Sequence, residues 1–163
     1  MTAPAAAPTP QLAKKWIIAV RTAGGQAADP YTKVKALTQV QMTINYTQQD
    51  QTTYDDGMWS GGQFVTQLAW EVTGTAMRKL YAGTEDPGQQ MIREAAIPVG
   101  EAQPTQLEVQ IYDRFGGVEA YSGTVTCQWA PQGGSPTDLE TAQFTLSGVG
   151  ARVTITNPEP PTP

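Results

Sequence analysis

Two pairs of adjacent carboxylates, Asp55–Asp56 and Glu85–Asp86, are where acidic groups crowd most closely along the chain. Paired carboxylates can share general acid and base roles or supply ligands to calcium. Both pairs, however, lie beside glycine or proline, where Asp and Glu serve as solvated turn formers. Asp86 also precedes Pro87 and Gln89 in the order of an N-cap, a first-turn proline and a capping-box partner. Structural roles are therefore expected for both pairs. The chain has no histidine, which removes Ser-His-Asp and Cys-His catalysis, the common zinc sites and the usual proton shuttle together. The single cysteine, Cys127, alternates with Tyr121, Gly123, Val125 and Trp129 and reads as a small buried hydrophobe. The glycine pairs match no phosphate-binding loop and none leads into a helix. No catalytic residue, metal or cofactor is expected, and the chain is not expected to be an enzyme.

Partners that need charge are also disfavoured. Net charge is −5, and the ten Lys and Arg residues are scattered apart from the doublets Lys14–Lys15 and Arg78–Lys79. There is no basic stripe to displace counterions from nucleic acid, although a mildly acidic wall would let a polyanion pass without sticking. No basic segment precedes an apolar run at the start, and no apolar stretch approaches the roughly 18 residues of a membrane span. An intracellular chain without a membrane partner is expected. Of the four tryptophans, Trp16, Trp70 and Trp129 fall in strand-like segments and suit a core, whereas Trp59 sits beside Met58 in a polar loop and suits a partner surface.

The elements that would position these residues are mostly strands. Only 15% of the 163 residues are charged, and Thr, Gln, Gly and Ala fill much of the remainder, a profile of sheets with uncharged polar faces. Lys15–Val20 is an apolar run that ends before Gly24–Gly25. From Val34 to Thr47 the pattern alternates, with Val40, Met42, Ile44 and Tyr46 on a buried face and Gln41, Thr43, Asn45 and Thr47 on a polar one. A loop from Gln48 to Gly62 follows, longer than the roughly two to five residues of an ordinary hairpin turn. The next strand, Gln63–Thr73, puts Phe64, Leu68, Trp70 and Val72 on one face and Val65, Gln67, Ala69, Glu71 and Thr73 on the other. Ala76–Tyr81 fits a strand end or a helical turn equally. A short capped helix follows Asp86, with Met91, Ile92 and Ala95 as its apolar stripe and Pro98 and Gly100 as its stop. Gln106–Tyr112, Val118–Ala130, Glu140–Leu146 and Ala151–Thr156 complete the strands, with Ser147–Gly150 expected to break the last two apart. The fold class expected is mainly β: a β-sandwich or small barrel of about seven strands with one flanking α-helix. Residues 1–13 read as a Pro-rich arm, 14–157 as the domain and 158–163 as a Pro-rich tail.

The order of these parts resembles the major tail tube proteins of long-tailed, siphovirus-type bacteriophages. The resemblance covers about Lys14 to Asn157. It is carried by the Asp55-Asp56-Gly57 loop with Gly61-Gly62, the strand end Trp70-Glu71-Val72-Thr73-Gly74, the helix start from Asp86 to Gln90, and Leu146-Ser147-Gly148. It implies a β-sandwich with a helix, assembled into hexameric rings that stack into a tube for DNA passage. The hairpins Ala36–Thr47 with Gln63–Thr73, and Val118–Ala130 with Glu140–Leu146, would then build the lumen wall. Lumen-facing candidates are Gln41, Thr43, Asn45, Thr47, Gln67, Glu71, Thr124, Thr126 and Gln128. Asp50, Tyr54, Asp55, Asp56, Met58 and Trp59 would form the ring-stacking loop. The implied partners are copies of the same chain, a tail terminator, a tape measure protein and distal tail proteins, in a virion tail assembled in the host cytoplasm. The sequence ends at Pro163, so an appended Ig-like adhesion module is not expected. Two alternatives remain: a tube protein of a contractile injection or type VI secretion system, and a monomeric carbohydrate-binding β-sandwich that uses exposed Trp.

Overall fold

The computed structural model of the chain describes residues 15–25, 29–53, 62–97 and 105–160. In chain order these form β1 (Trp16–Thr22), β2 (Thr32–Lys33), β3 (Leu37–Asp50), β4 (Gln63–Met77), β5 (Leu80–Tyr81), β6 (Thr84–Glu85), α1 (Pro87–Ala96), β7 (Leu107–Asp113), β8 (Ala120–Gln132) and β9 (Thr141–Thr154). Seven strands make one antiparallel sheet in the order β2-β1-β7-β8-β9-β4-β3, and β5 with β6 make a separate small hairpin. The architecture is the expected one, mainly β with a single flanking helix.

Connectivity dictates the shape of this sheet. Its two outermost strands, β2 and β3, are joined by Val34, Lys35 and Ala36 alone. That link spans about 14 Å at most, whereas six strand spacings in a flat sheet add up to about 29 Å. The sheet must therefore curl until its edges nearly meet, and Ala36 turns the corner with φ 58° while its carbonyl accepts the Met77 N–H at 2.9 Å.

The enclosed face holds the core. Ile18 and Val20 of β1 sit opposite Ile111 and Val109 of β7, and with Val125, Leu146, Phe144 and Val72 they lose nearly all contact with solvent. Ile92 and Ala95 of α1 close this core. Fully burying a side chain of this size contributes about 1.5–3 kcal/mol, which is what holds a helix too short to be stable alone. On the opposite face of β1, β7 and β8, a smaller cluster of Ala19, Tyr112 and Ala120 packs with Ile17, Tyr31 and Ile155. Asn157 then ties the chain beyond β9 to the sheet, donating to the carbonyls of Asp113 and Gly117 at 2.8 Å each, and Glu159, in the expected tail, pairs with Lys33.

Several local expectations need correction. Asp86 does cap α1, its Oδ2 accepting the Gln89 N–H at 3.1 Å, but the Gln89 side chain does not return to the cap. It donates instead to the carbonyls of Lys35 at 2.8 Å and Met77 at 3.2 Å. Those carbonyls flank the β2–β3 corner and need a donor there, so Gln89 satisfies sheet groups rather than helix ones. Ala76–Tyr81 resolves as the end of β4 and the start of the β5–β6 hairpin, whose turn residues Ala82 and Gly83 both have positive φ. Beyond Thr47 a register shift leaves no β3 residue opposite Thr66, whose hydroxyl donates to the Thr47 carbonyl at 3.2 Å, and pairs Phe64 with Gln49. Past that bulge Phe64 no longer keeps the alternation it was expected to share with Leu68, Trp70 and Val72.

Ser147–Gly150 does not break the chain either; β9 runs through it. A Cβ on Gly148 would stand 2.2 Å from the Trp70 ring, and one on Gly123 of the adjacent strand 2.5 Å from it. These glycines clear a bed for the indole, whose Nε1–H donates to the Gly150 carbonyl at 2.9 Å. Gly74 does the same for Phe144, at 2.4 Å.

Candidate functional site

The candidate surface starts from register. Across the β3–β4 pair, Gln41 faces Thr73, Thr43 faces Glu71, Asn45 faces Ala69 and Thr47 faces Gln67. Across β4–β9, Glu71 faces Ser147 and Thr73 faces Thr145. Across β9–β8, Ser147 faces Thr126 and Thr145 faces Gln128. Directly paired residues project to the same side of a sheet, so these rows belong to one surface spanning four strands. Thr124 joins it two residues before Thr126. All nine residues singled out from the sequence lie on this surface, opposite the face that carries Val72, Val125, Leu146 and Phe144. Within these rows Glu71 is the one carboxylate, amid Gln, Thr, Ser and Asn; at the edge of the surface Thr124 faces Glu108 of β7, which in turn faces Arg21 of β1.

The second feature is an edge. Among the described residues β3 forms no ladder on its outer side, and its 14 residues, LTQVQMTINYTQQD, hold no Lys, Arg or Pro. Strand edges in free-standing proteins are usually blunted by such residues or covered. This one is long and nearly uncharged.

The third feature is an apolar face that outruns the body. Val40 and Met42 pack against the core, as the alternation predicts, but Ile44 is 46% exposed, Tyr46 60% and Leu68 70%. Their expected burial fails because β4 stays beside β9 only as far as the Glu71–Ser147 pair. Beyond it β9 continues along β8 to Val153 and Thr154, while the β3–β4 hairpin projects with no second layer beneath it among the described residues. The two paths diverge around a cleft of about 370 Å³ lined by Ile44, Leu68, Ala69, Trp70, Gly150, Ala151 and Arg152. The Arg152 guanidinium stacks 4.1 Å over the Tyr121 ring and contacts the Met42 sulfur at 3.3 Å. No carboxylate pairs with it among the described residues. Sequence reasoning missed both the exposed residues and Arg152, although the hydrophobic alternation running on past the length of the other strands was a signal for the former.

The stacking-loop residues divide. Tyr54, Asp55, Asp56, Met58 and Trp59 lie outside the described residues. Asp50, expected in the loop, is instead the last residue of β3, because hairpin pairing continues to Asp50 opposite Gln63 and the Gln51 N–H reaches the Gly62 carbonyl at 3.0 Å. Its carboxylate accepts from the Thr52 hydroxyl and backbone N–H, and these bonds hold its pKa below the ordinary value.

The remaining chemistry-bearing groups have structural work. Glu85 binds Arg78 at 2.7 Å and Arg93 at 2.9 Å, which ties the β5–β6 hairpin to α1. Cys127 is buried, and burial pushes its thiol up to about 12. Among the described residues no cluster of three or more His, Cys, Asp or Glu is placed to hold a metal, and no helix is long and apolar enough to cross a membrane.

No family model matches the chain, and no curated protein matches it. Solved structures do resemble it. A chain from the tail of an empty gene transfer agent particle with C6 symmetry superposes with a TM-score of 0.65 at 13% identity, covering 90% of this chain and 99% of that one. A chain from the virion of a native gene transfer agent particle gives 0.61 at 14% identity, covering 88% and 97%. A chain from the six-fold symmetrised baseplate of the anti-feeding prophage gives 0.55 at 8% identity, covering 90% and 97%. The protein thus shares, over nearly its whole length, the fold of chains found in these particles.

Proposed function

We propose that the protein is the structural subunit of a phage-like tail tube, in which copies join edge to edge into hexameric rings and the rings stack around a lumen through which DNA leaves. The observation that carries this reading is the long, nearly uncharged edge of β3 beside a four-strand polar face. A strand edge of that kind is a template for another chain, and closing a ring of copies removes it. Turned inward, the four-strand Gln, Thr and Asn surface with Glu71 would offer DNA no cation to hold, and Arg21 beyond its edge is already bound to Glu108. The likeness in fold to a chain of a C6-symmetric tail supports the ring order. The loop with Asp55, Asp56, Met58 and Trp59 is assigned to ring stacking, and the tail terminator, tape measure and distal tail proteins to the ends and interior of the tube. Light scattering and electron microscopy of the purified protein test the reading: rings or tubes with a central channel are expected, and a stable monomer at all concentrations would overturn it.

A second reading, the tube of a contractile injection system, draws on the likeness to the anti-feeding prophage baseplate chain. The presence of a sheath around native particles separates the two.

A further inference from the structure

The cleft between β4 and β9 has a complementary knob on the same chain. At the far end of β9, the β8–β9 turn presents Leu139, 72% exposed, between Asp138 and Glu140. The turn is fixed: the Asp138 N–H donates to the Ser135 carbonyl at 2.8 Å, and the Asp138 carboxylate accepts the Ser135 N–H at 2.7 Å. Asp138 has no cationic partner among the described residues, while Glu140 is engaged by Arg78. The cleft offers the converse, an apolar floor of Ile44, Leu68 and Trp70 with Arg152 at its side. We infer that Leu139 of one copy seats in this cleft of the next, with Asp138 meeting Arg152.

Three observations favour this occupant. The knob cannot reach the cleft of its own chain, since Leu139 and Arg152 are separated by roughly 40 Å of extended strand. A contact between two different patches is heterologous, and repeated between copies it generates a ring or an open array rather than a closed dimer. The charges also select this knob over other exposed apolar tips among the described residues, at Phe115 and Val118 and at Leu80: the first follows Arg114 and the second follows Lys79, either of which would face Arg152 with like charge, and the acid Glu119 of the first is already paired with Lys15. Both halves of the proposed contact are held in place before they meet, Leu139 by its turn and Arg152 by Tyr121, so little ordering is lost on association.

The inference rests on the self-assembly reading, and the test separates the two. Leu68→Cys with Leu139→Cys in one chain should give, on mild oxidation of assembled protein, a ladder of disulfide-linked multimers, because Cys127 is buried and does not compete. Leu139→Asp, an exposed turn substitution that leaves the core untouched, should cut assembled mass at least tenfold while circular dichroism stays native. Arg152→Glu should do the same, and Asp138→Asn, whose amide oxygen can still accept the Ser135 N–H, should weaken assembly severalfold. If wild-type protein assembles but Leu139→Asp assembles equally well and no ladder forms, the knob and cleft assignment is overturned and the tube reading stands. If wild-type protein never assembles, both fall. A cross-link from Leu68→Cys to a different protein or to another tip of the chain would also overturn the assignment.

Discussion

Replacing Gly148 by Ala tests the bed beneath Trp70. The added methyl carbon would stand 2.2 Å from Cε2 and 2.3 Å from Nε1 of the indole, far inside the roughly 3.5–4.0 Å of ordinary contact between such atoms. The ring cannot slide sideways along the sheet, because Gly123 clears only the width it already occupies and its N–H is fixed to the Gly150 carbonyl. It must lift, which breaks that hydrogen bond and opens the core beneath. Overpacking of this kind costs about 1–3 kcal/mol and a lost hydrogen bond about 1 kcal/mol, so Gly148→Ala should destabilise by about 2–4 kcal/mol. In a domain of this size each kcal/mol lowers Tm by about 2–4 °C, which gives a fall of roughly 5–15 °C. Thermal and urea unfolding followed by circular dichroism and tryptophan fluorescence are the assays, with Gly133→Ala as control, since a Cβ there meets nothing within 4 Å. Gly123→Ala should resemble Gly148→Ala, and the double variant should cost less than the sum, because one displaced ring relieves both clashes. Equal stability of Gly148→Ala and the control would refute the account of these glycines as space for the indole.

Gln89→Leu should destabilise by about 1–3 kcal/mol through loss of the donors to Lys35 and Met77, read as a lower urea midpoint at unchanged m-value. The Cys127 thiol should resist disulfide reagents at pH 8 until the protein unfolds. Because its folded pKa is raised from 9.0 to about 12, the folded state keeps a proton that the unfolded chain releases; this contribution is whole below about pH 9 and is lost as pH rises toward 12, a decline that Cys127→Ala should flatten. Glu108 shifts the other way, below its ordinary 4.5, chiefly through the hydrogen bond from Arg21 and further through Tyr31. Its stabilisation is present above that value and fades as pH falls, so the acid limb of a stability curve should be shallower in Glu108→Gln. On the proposed tube reading, Glu71→Lys should leave assembly intact but make the assembled protein retain short DNA at low salt, measured by co-sedimentation; assemblies that bind no more DNA than wild type would argue that Glu71 does not face a lumen.

Much of the fold was legible because strand periodicity is a local property. The alternation of Gln41, Thr43, Asn45 and Thr47 against Val40 and Met42 needed no knowledge of neighbours, and register then carried the same polar face across β4, β9 and β8. Asp86 and Pro87 announced α1 for a similarly local reason. What stayed hidden depended on residues far apart in sequence. Gly148 reads as a breaker until Trp70 lies on it, and Gln89 reads as a capping partner until the carbonyls of Lys35 and Met77 compete for its amide. The exposure of Ile44, Tyr46 and Leu68 was equally hidden, because a one-dimensional pattern shows which face is apolar but not where the layer beneath it ends.

The strand order also sets a timetable for synthesis. The hairpin β3–β4 pairs residues close in sequence and can form soon after Met77 leaves the ribosome, whereas Ile18 of β1 waits for Ile111 of β7. At about 5–20 residues per second that wait lasts roughly 5–20 s. The long β3–β4 hairpin with its unpaired edge is therefore finished before the body that orients it, so during synthesis that edge is exposed without the rest of the sheet beside it.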